Sequence, residues 1–289
     1  MSQIILMAET GSDIPADLAK KEGIELVPMH VSFGDTTKDD GSFPPSDVVS
    51  FYKETGILPK TSGSVPEDFT IAFDRIHAAH PDAQILYLAY SAVTTCSYQS
   101  AQIASEERDY IKSLDTKQVS AGQYVVVVTM AKLLQEHPEW TIDDALAAAQ
   151  TLSEQVHMCF VPDTLEFLRA GGRVSNAAAI CGTLLKIHPC IEILAGYLKA
   201  TKKQRGNMKK IVPRLITDHI TERNLDNEEL WLIQTPGLSE EIIKIAEQTA
   251  YDAGIKKVTW VPTGGVITCH GGPGAFGVVG LSKQRSDRG

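Results

Sequence analysis

An alternation of strand-like and helix-like segments is the feature that most constrains the fold of this chain. In the first half, residues 4–7, 25–31 and 85–90 form short apolar runs that predict strands. In the second half, the strand-like residues 229–234 and 257–261 flank a helical pattern. A strand, a helix and a strand in that order favour a right-handed crossover and mainly parallel pairing. The predicted class is α/β in both halves.

Local signals predict two further helices in the first half. Residues 124–134 include four consecutive valines, which suit a strand, but the overlapping AKLLQEH suits a helix, and we predict a buried helix. Thr141 and Asp144 have the spacing of a capping box ahead of apolar residues at helical intervals. Because no linker interrupts the sequence, composition gives only a weak basis for the domain boundary that we place near residue 157.

The composition limits the classes of function. With 43% hydrophobic residues the chain can fill sizeable cores, and its net charge of −9 argues against a dedicated nucleic-acid binder. Five scattered cysteines without a CxxC pair predict neither a disulfide framework nor a zinc ribbon. The sequence shows no secretion signal and no apolar run of the roughly 18 residues that cross a bilayer. We therefore expect a reduced, soluble, cytoplasmic protein without stable membrane insertion.

Two hydroxyl-rich segments are the first candidates for a binding site. Residues 61–66 place Thr61 and Ser62 in a predicted loop before a helix, where hydroxyls act either as helix caps and turn formers or as donors to an anionic group. Residues 91–98, with Ser91 and Thr95, directly follow a predicted strand and precede a helix. Ligands of open α/β sheets collect at the carboxyl ends of strands, and helix N-termini favour negative charge. This placement strengthens the binding interpretation of the second segment beside the structural one.

A histidine and two arginines complete the candidates. A predicted strand leads His270 into the turn HGGPG; a single histidine is usually structural, but this one has glycine backbone on one side. Arg173 and Arg205 are either solvated or suited by their fork geometry to bind a phosphate or a carboxylate. Residues 272–277 match G-x-G-x-x-G, but only residues 278–289 follow, so we expect no dinucleotide site there.

Signatures of common enzymes are missing from the sequence. It contains no G-x-x-x-x-G-K-[ST] phosphate loop, no G-x-S-x-G nucleophile elbow and no H-E-x-x-H zinc motif. Cys269 and His270 are adjacent and would point to opposite faces of the predicted strand, which argues against a Cys–His pair. We expect no catalytic residue, no metal and no cofactor.

Motifs spread over nearly the whole chain resemble those of the DegV family of fatty-acid-binding proteins. In order, they are AETGSDIP at 8–15, TSGSVPEDF at 61–69, SAVTTCSYQSA at 91–101, LDTKQVSAGQ at 114–123, TLEFLRAGGRVS at 164–175, GTLLKIHP at 182–189, KKQRG at 202–206 and HGGPGAFG at 270–277. The resemblance implies a two-domain α/β protein that holds one long-chain fatty acid in a tunnel.

The expected architecture follows from this resemblance and the boundary above. We expect an N-terminal three-layer α/β/α domain over residues 1–157 with a mainly parallel sheet. A C-terminal α/β domain over residues 158–289 would have a mixed sheet, with the lipid tunnel at and near the junction. In several bacteria such proteins are the binding subunits of a fatty acid kinase, and they present the acyl carboxylate to a separate ATP-using partner.

The resemblance also assigns residues. Thr61 or Ser62 and the segment at Ser91 would bind the carboxylate, with His270 nearby. The family's second serine is Ala92 here, which leaves Ser91 or Thr95 to supply that donor. Arg173 and Arg205 are expected on the surface that faces the kinase. The small and apolar residues 177–179, 182, 184, 185 and 187 would line the tunnel or form ordinary core.

Three hypotheses about function remain open at this point. The first is a fatty-acid carrier that performs no chemistry alone. The second is an enzyme that acts on a small phosphorylated or carbonyl substrate, with His270 as acid or base and Arg173 or Arg205 as a phosphate clamp. The third is a lipid-sensing regulatory module, which would share the binding pocket and differ in its partner.

Overall fold

The computed structural model describes residues 3–174 and 187–283. Its strands are β1 Ile4–Glu9, β2 Ile24–Val27, β3 His30–Phe33, β4 Thr36–Asp39, β5 Lys60–Ser62, β6 Gln84–Ala89, β7 Ile111–Asp115, β8 Val156–Val161, β9 Ile187–Leu194, β10 Tyr197–Arg205, β11 Glu229–Gln234, β12 Lys257–Pro262 and β13 Phe276–Leu281. Its helices are α1 Ala16–Glu22, α2 Ser46–Thr55, α3 Pro66–Ala79, α4 Ser97–Ser105, α5 Ala121–Glu136, α6 Ile142–Gln155, α7 Glu166–Gly171, α8 Met208–Glu222, α9 Glu240–Asp252 and α10 Gly265–Gly271.

A four-stranded parallel sheet with the order β2-β1-β6-β7 forms the centre of the first half. Side chains of β1 alternate between its two faces: Ile5 and Met7 pack with α3 and α4, whereas Leu6 and Ala8 pack with α1, α5 and α6. Helices therefore cover both faces, as a buried parallel sheet requires. The predicted three-layer α/β/α architecture with a parallel sheet is confirmed.

The second half is built on a six-stranded mixed sheet with the order β10-β9-β8-β13-β11-β12. β11 and β12 are parallel and connected through α9, as predicted, and the other pairs are antiparallel. Helices α8 and α9 pack on one face of this sheet around Val212, Leu215 and Ala246. The predicted α/β class with a mixed sheet is confirmed for this half.

Helix α5 lies between the two sheets and explains why its sequence is apolar on all sides. It contacts β1 and β6 on one side and β8, β11 and β13 on the other, and Val125, Val126 and Val127 are completely buried. The predicted buried helix is confirmed. β8, the first strand of the mixed sheet, begins at Val156; the division into domains at residue 157 stays a prediction.

The predicted single strand over residues 25–31 is wrong. The segment forms two strands, β2 in the parallel sheet and β3 in a separate antiparallel sheet with the order β4-β3-β5. Pro28 lies between them, and proline has no backbone N–H to continue a ladder of hydrogen bonds. The small sheet matters for the site because β5 carries Thr61 and Ser62, which the sequence placed in a loop.

No helix within residues 3–174 and 187–283 is long and apolar enough to cross a membrane. In the same ranges, no cluster of histidine, cysteine, aspartate or glutamate side chains has the arrangement of a metal site.

Candidate functional site

A cavity lies between the two halves of the chain. It contains about 890 Å³ of space between atoms, which includes open solvent at its mouth. Most of its wall is apolar and comes from both halves: Met29, Val119, Met158, Phe160, Leu168, Val174, Leu198, Ile233, Val266, Ile267, Ala275 and Phe276. Its polar lining residues are Thr61, Ser62, Tyr90, Thr94, Thr95, Ser120, Arg173, Thr235, Thr263 and His270.

A hydrogen bond between Thr61 and His270 joins the two halves at the wall of this cavity. Thr61 Oγ1 lies 2.8 Å from His270 Nε2, although the residues are 209 positions apart. Thr61 is held by the pairing of β5 with β3, where it stands opposite Val31. His270 is the penultimate residue of α10. The structure therefore brings these two candidate side chains together at the cavity wall.

The backbone of Gly171 packs directly against the His270 ring. A Cβ atom added to Gly171 would lie 2.3 Å from His270 Nδ1, so glycine is needed at the end of α7. His270 Nδ1 is buried and has no hydrogen-bond partner among the described residues. Burial, and then the positive charge of Arg173, lower the pKa of His270 to about 4. His270 is therefore neutral at pH 7.

The predicted strand that leads to His270 is wrong, because these residues form helix α10. The β-branched residues Val266 and Ile267 favoured a strand. In the structure the backbone N–H groups of Gly264 and Gly265 donate to the carboxylates of Asp13 and Asp40. These partners are 251 and 225 residues away in the sequence, so a local pattern could not reveal the capping of this helix.

The two hydroxyl-rich segments meet beside Thr61. A Cβ added to Gly63 would lie 2.2 Å from Thr95 Oγ1 and 2.7 Å from Ser97 Oγ, and the Ser64 N–H donates to Ser97 Oγ at 3.1 Å. Glycine at position 63 thus permits the close approach. Thr95 and Ser62 both line the cavity.

Ser91 has a different position from the other predicted donors. Its side chain is fully buried, and its hydroxyl donates to the carbonyl oxygen of Gly196 at 2.9 Å. Gly196 lies in the turn between β9 and β10 with a φ of +85°, and a Cβ there would lie 2.6 Å from Ser91 Oγ. Ser91 therefore connects the first half to the β9–β10 hairpin, and it is not among the residues that line the cavity.

The two candidate arginines are in separate places. Arg173 follows α7, lines the cavity and is exposed, and its Nη1 donates to the carbonyl of Gly171 at 2.8 Å. Arg205 is exposed at the end of β10, the edge strand of the mixed sheet. The structure brings Arg173 to His270 and leaves Arg205 away from the cavity wall.

Several candidates of the sequence analysis fall on residues that the structure does not describe. The proposed tunnel residues 177–179, 182, 184 and 185 lie outside the described ranges. Residue Ile187 begins β9 and is half-buried.

Tyr90 is a cavity residue that the sequence reasoning missed. Only 9% of it is exposed, and it lines the cavity. Burial raises the pKa of Tyr90, so the hydroxyl keeps its proton and remains a donor. The available signal was its position at the carboxyl end of β6, where ligands of parallel sheets collect.

The fold and the cavity define a class: an α/β protein with a largely apolar small-molecule pocket between two sheets. A family model with the description "Uncharacterised protein, DegV family" matches residues 3–283. The chain belongs to the DegV family, and the resemblance seen in its motifs is confirmed.

Relatives and solved structures match over almost their full length. The fatty acid-binding protein of Thermotoga maritima is 26% identical, over 98% of this chain and 100% of its own. A DegV family protein from Thermus thermophilus, whose structure is described by its fatty acid binding, is 26% identical with a TM-score of 0.87 and coverage of 97% and 100%. A DegV family protein from Eubacterium eligens loaded with heptadecanoic acid has a TM-score of 0.82, 18% identity and coverage of 97% and 100%. At 18% identity this likeness shows the fold alone.

Proposed function

We propose that the chain binds one long-chain fatty acid in the cavity, with the carboxylate against Thr61, Ser62, Thr95 and His270. The observation that carries this proposal is the Thr61–His270 pair, a polar group at the wall of a mostly apolar pocket. The relatives from Thermotoga maritima and Thermus thermophilus, both named for fatty acid binding, support the ligand class.

The hydrogen-bond pattern of His270 leaves Thr61 able to donate to the ligand. An N–H at Nδ1 would be buried without a partner, which costs about 1–3 kcal/mol, so the favoured tautomer carries its proton on Nε2. Nε2–H then donates to Thr61 Oγ1, and the Thr61 hydroxyl directs its own hydrogen elsewhere. A carboxylate at the cavity wall would receive that hydrogen bond.

Positive charge and further hydroxyls would offset the cost of taking the carboxylate out of water. An unpaired buried carboxylate is strongly unfavourable. Arg173 lines the same cavity and already acts electrostatically on His270. Thr95 Oγ1 is next to Gly63, and Tyr90, whose hydroxyl keeps its proton, lines the same cavity. Together these groups supply the donors that an anionic head group requires.

The acyl chain would supply most of the binding free energy. Burial of a methylene contributes about 0.8 kcal/mol, so a chain of about fourteen methylenes contributes roughly 11 kcal/mol before the costs of immobilisation. The lining side chains, among them Phe160, Leu168 and Ile233, offer the apolar contacts that this requires.

We further propose that the protein is a cytoplasmic, non-catalytic subunit that presents the carboxylate to an ATP-dependent kinase. Arg173 supports this part because it is both exposed and at the cavity wall; Arg205 would belong to the same partner surface. The enzyme hypothesis gains no support from His270. With a pKa of about 4 it has no proton to give at neutral pH and is a weak base.

Mass spectrometry of the purified protein tests the ligand. The protein is expressed in a bacterial host, and its organic extract is compared with an intact-protein spectrum under native conditions. The expected result is one fatty acid per chain, which refills delipidated protein at a ratio of one. A chain that carries no lipid and takes up none when offered palmitate or oleate would overturn the proposal.

A trapping assay tests the kinase part separately. The loaded protein is incubated with ATP, with and without the candidate kinase of its host, and acyl phosphate is trapped with hydroxylamine. We expect product only when the kinase is present, and less of it with Arg173→Ala than with the exposed control Arg214→Ala. Product without a kinase, or equal rates for the two variants, would count against this part.

A further inference from the structure

Two buried carboxyl groups of the first half contact the amino end of α10. Asp13 follows β1, and Asp40 follows β4. Only 5% of Asp13 and 4% of Asp40 are exposed. A charged side chain is rarely buried to this degree without a specific partner.

The partners are the first amides of α10. Gly264 N–H donates to Asp13 Oδ1 and Gly265 N–H donates to Asp40 Oδ1, both at 2.7 Å. The backbone of Val266 also favours the ionised form of Asp40. Asp13 and Asp40 thus satisfy amides that a helix leaves without intrahelical partners. We refer to Asp13 and Asp40 as the carboxyl pair.

The carboxyl pair is itself held by the first half. Ser120 donates its hydroxyl to Asp13, and Ser120 adopts an unusual backbone conformation with a φ of +49°. The Thr10 side chain favours the ionised form of Asp40, and Thr10 Oγ1 accepts a hydrogen bond from the Met29 N–H at 3.0 Å. Strained residues of this kind persist where the surrounding contacts over-determine them. Contacts within the first half therefore hold the carboxyl pair in place.

The far end of the same helix carries His270. α10 has seven residues, and five of its steps, about 7.5 Å along the axis, separate Gly265 from His270. So short a helix moves as a rigid body, and the position of its first turn sets the position of its last. Thr61, the partner of His270, belongs to the first half like the carboxyl pair. The Thr61–His270 distance thus depends on how α10 is seated on Asp13 and Asp40.

We propose that Asp13 and Asp40 are positioning residues for the head-group site, which place His270 against Thr61 by capping α10 across the two halves of the chain. The expected effect on ligand binding rests on the proposed function. The placement of His270 does not, because it is measured on protein without lipid. Neither carboxyl group touches the ligand in this account.

The primary test is nuclear magnetic resonance of delipidated protein with ¹⁵N-labelled histidine. The chain has eight histidines, and His270→Gln assigns the signals of interest. We expect Asp40→Ala and Asp13→Ala to shift the His270 ring signals and to raise its pKa from about 4 toward the ordinary value, because a displaced ring becomes solvated. Asp40→Asn and Asp13→Asn keep an accepting oxygen and should retain most of the wild-type signals.

Two further variants separate positioning from a general loss of stability. Asp144→Ala removes the capping box of α6, which does not line the cavity, and should lower the unfolding temperature without moving the His270 signals. Gly264→Ala acts from the helix side, because its Cβ would lie 3.1 Å from an oxygen of Asp40. It should shift the His270 signals in the same direction as Asp40→Ala. If the aspartate variants do not fold, Gly264→Ala alone tests whether the seating of α10 positions His270.

The consequence for binding is measured as the dissociation constant for palmitate. We expect Asp40→Ala to raise it about tenfold, the effect of losing one well-placed hydrogen bond at the head group, and Asp144→Ala to leave it within about twofold. Unchanged His270 signals in both Asp40→Ala and Gly264→Ala would overturn the positioning role. If the signals shift while palmitate affinity stays the same, in these variants and in His270→Ala, the positioning role stands and the proposed ligand site is wrong.

Discussion

Thr61 and Ser91 both connect the first half of the molecule to the second, but they do so with different kinds of partner. Thr61 forms a side-chain hydrogen bond with His270 at the cavity wall, 2.8 Å long. Ser91 donates to the backbone carbonyl of Gly196 at 2.9 Å and is fully buried. One contact faces the cavity, and the other holds the β9–β10 hairpin.

The difference shows that the partner decides whether a hydroxyl is free for a ligand. A carbonyl oxygen accepts only, so the single proton of Ser91 is committed to Gly196. The imidazole of His270 donates through Nε2 in its favoured tautomer, which leaves the proton of Thr61 unused. We therefore propose that Thr61 binds the ligand and that Ser91 connects the two halves.

The largest expected effect is on ligand binding in His270→Ala. The variant removes the partner that orients Thr61 and leaves a void at the head group. We expect the dissociation constant for palmitate to rise about thirty- to hundredfold, which corresponds to about 2–3 kcal/mol. Isothermal titration calorimetry on delipidated protein measures it. An exposed histidine, His80, provides the matched control as His80→Ala; equal effects of the two substitutions would contradict the assignment.

Thr61→Val should have the next largest effect, because valine keeps the shape of threonine without the hydroxyl. The carboxylate loses one donor, and His270 loses its acceptor, so we expect about tenfold weaker palmitate binding. Displacement of a fluorescent fatty acid measures the change. A variant that binds palmitate as tightly as wild type would show that Thr61 does not contact the head group.

Ser91→Ala tests the other side of the comparison. The Gly196 carbonyl loses its donor, so we expect the free energy of unfolding to fall by about 1 kcal/mol, measured by urea denaturation, with palmitate affinity within about twofold of wild type. Tenfold weaker binding at unchanged stability would instead place Ser91 at the head group and reverse the comparison.

The smallest expected effect is a change in how stability depends on pH. The folded-state pKa of His270, about 4, lies below the ordinary value of 6.5. Between about pH 4 and pH 6.5 the unfolded chain therefore binds more protons than the folded one. The contribution of His270 to the free energy of unfolding is complete above about pH 6.5 and is lost as the pH falls toward 4. Burial raises the pKa values of Asp13 and Asp40, whose contributions have the opposite sign and decrease as the pH rises.

A comparison of wild type with His270→Gln isolates the contribution of His270 to the pH dependence of stability. Urea titrations of wild type and His270→Gln at about pH 7 and about pH 5 should show a smaller loss of stability on acidification in the variant. The carboxyl pair is present in both proteins, so its contribution cancels to first order. An equal loss in the two proteins would mean that His270 titrates normally.

Much of the fold follows from local signals in the sequence. The apolar run at β6 and the strand–helix–strand order of β11, α9 and β12 were sufficient to predict the α/β class and parallel pairing. The capping box of α6 is present, with the Asp144 N–H donating to Thr141 Oγ1. These features depend on residues within a few positions of one another, which is why they could be predicted.

The site could be predicted only in part, because its geometry depends on distant contacts. The motifs identified Thr61 and His270 as candidates, but their hydrogen bond spans 209 residues. The sequence predicts a strand where α10 lies, because the carboxyl groups that cap this helix come from the other half of the chain. Tyr90 was missed because a tyrosine at the end of an apolar strand has the same pattern as ordinary core.

A crystal structure of the protein with bound palmitate tests the central claim most directly. The account predicts the carboxylate within hydrogen-bond distance of Thr61 Oγ1, beside His270, with the acyl chain along the apolar wall of the cavity between the two sheets. A carboxylate bound elsewhere, with the Thr61–His270 pair facing empty solvent, would contradict it.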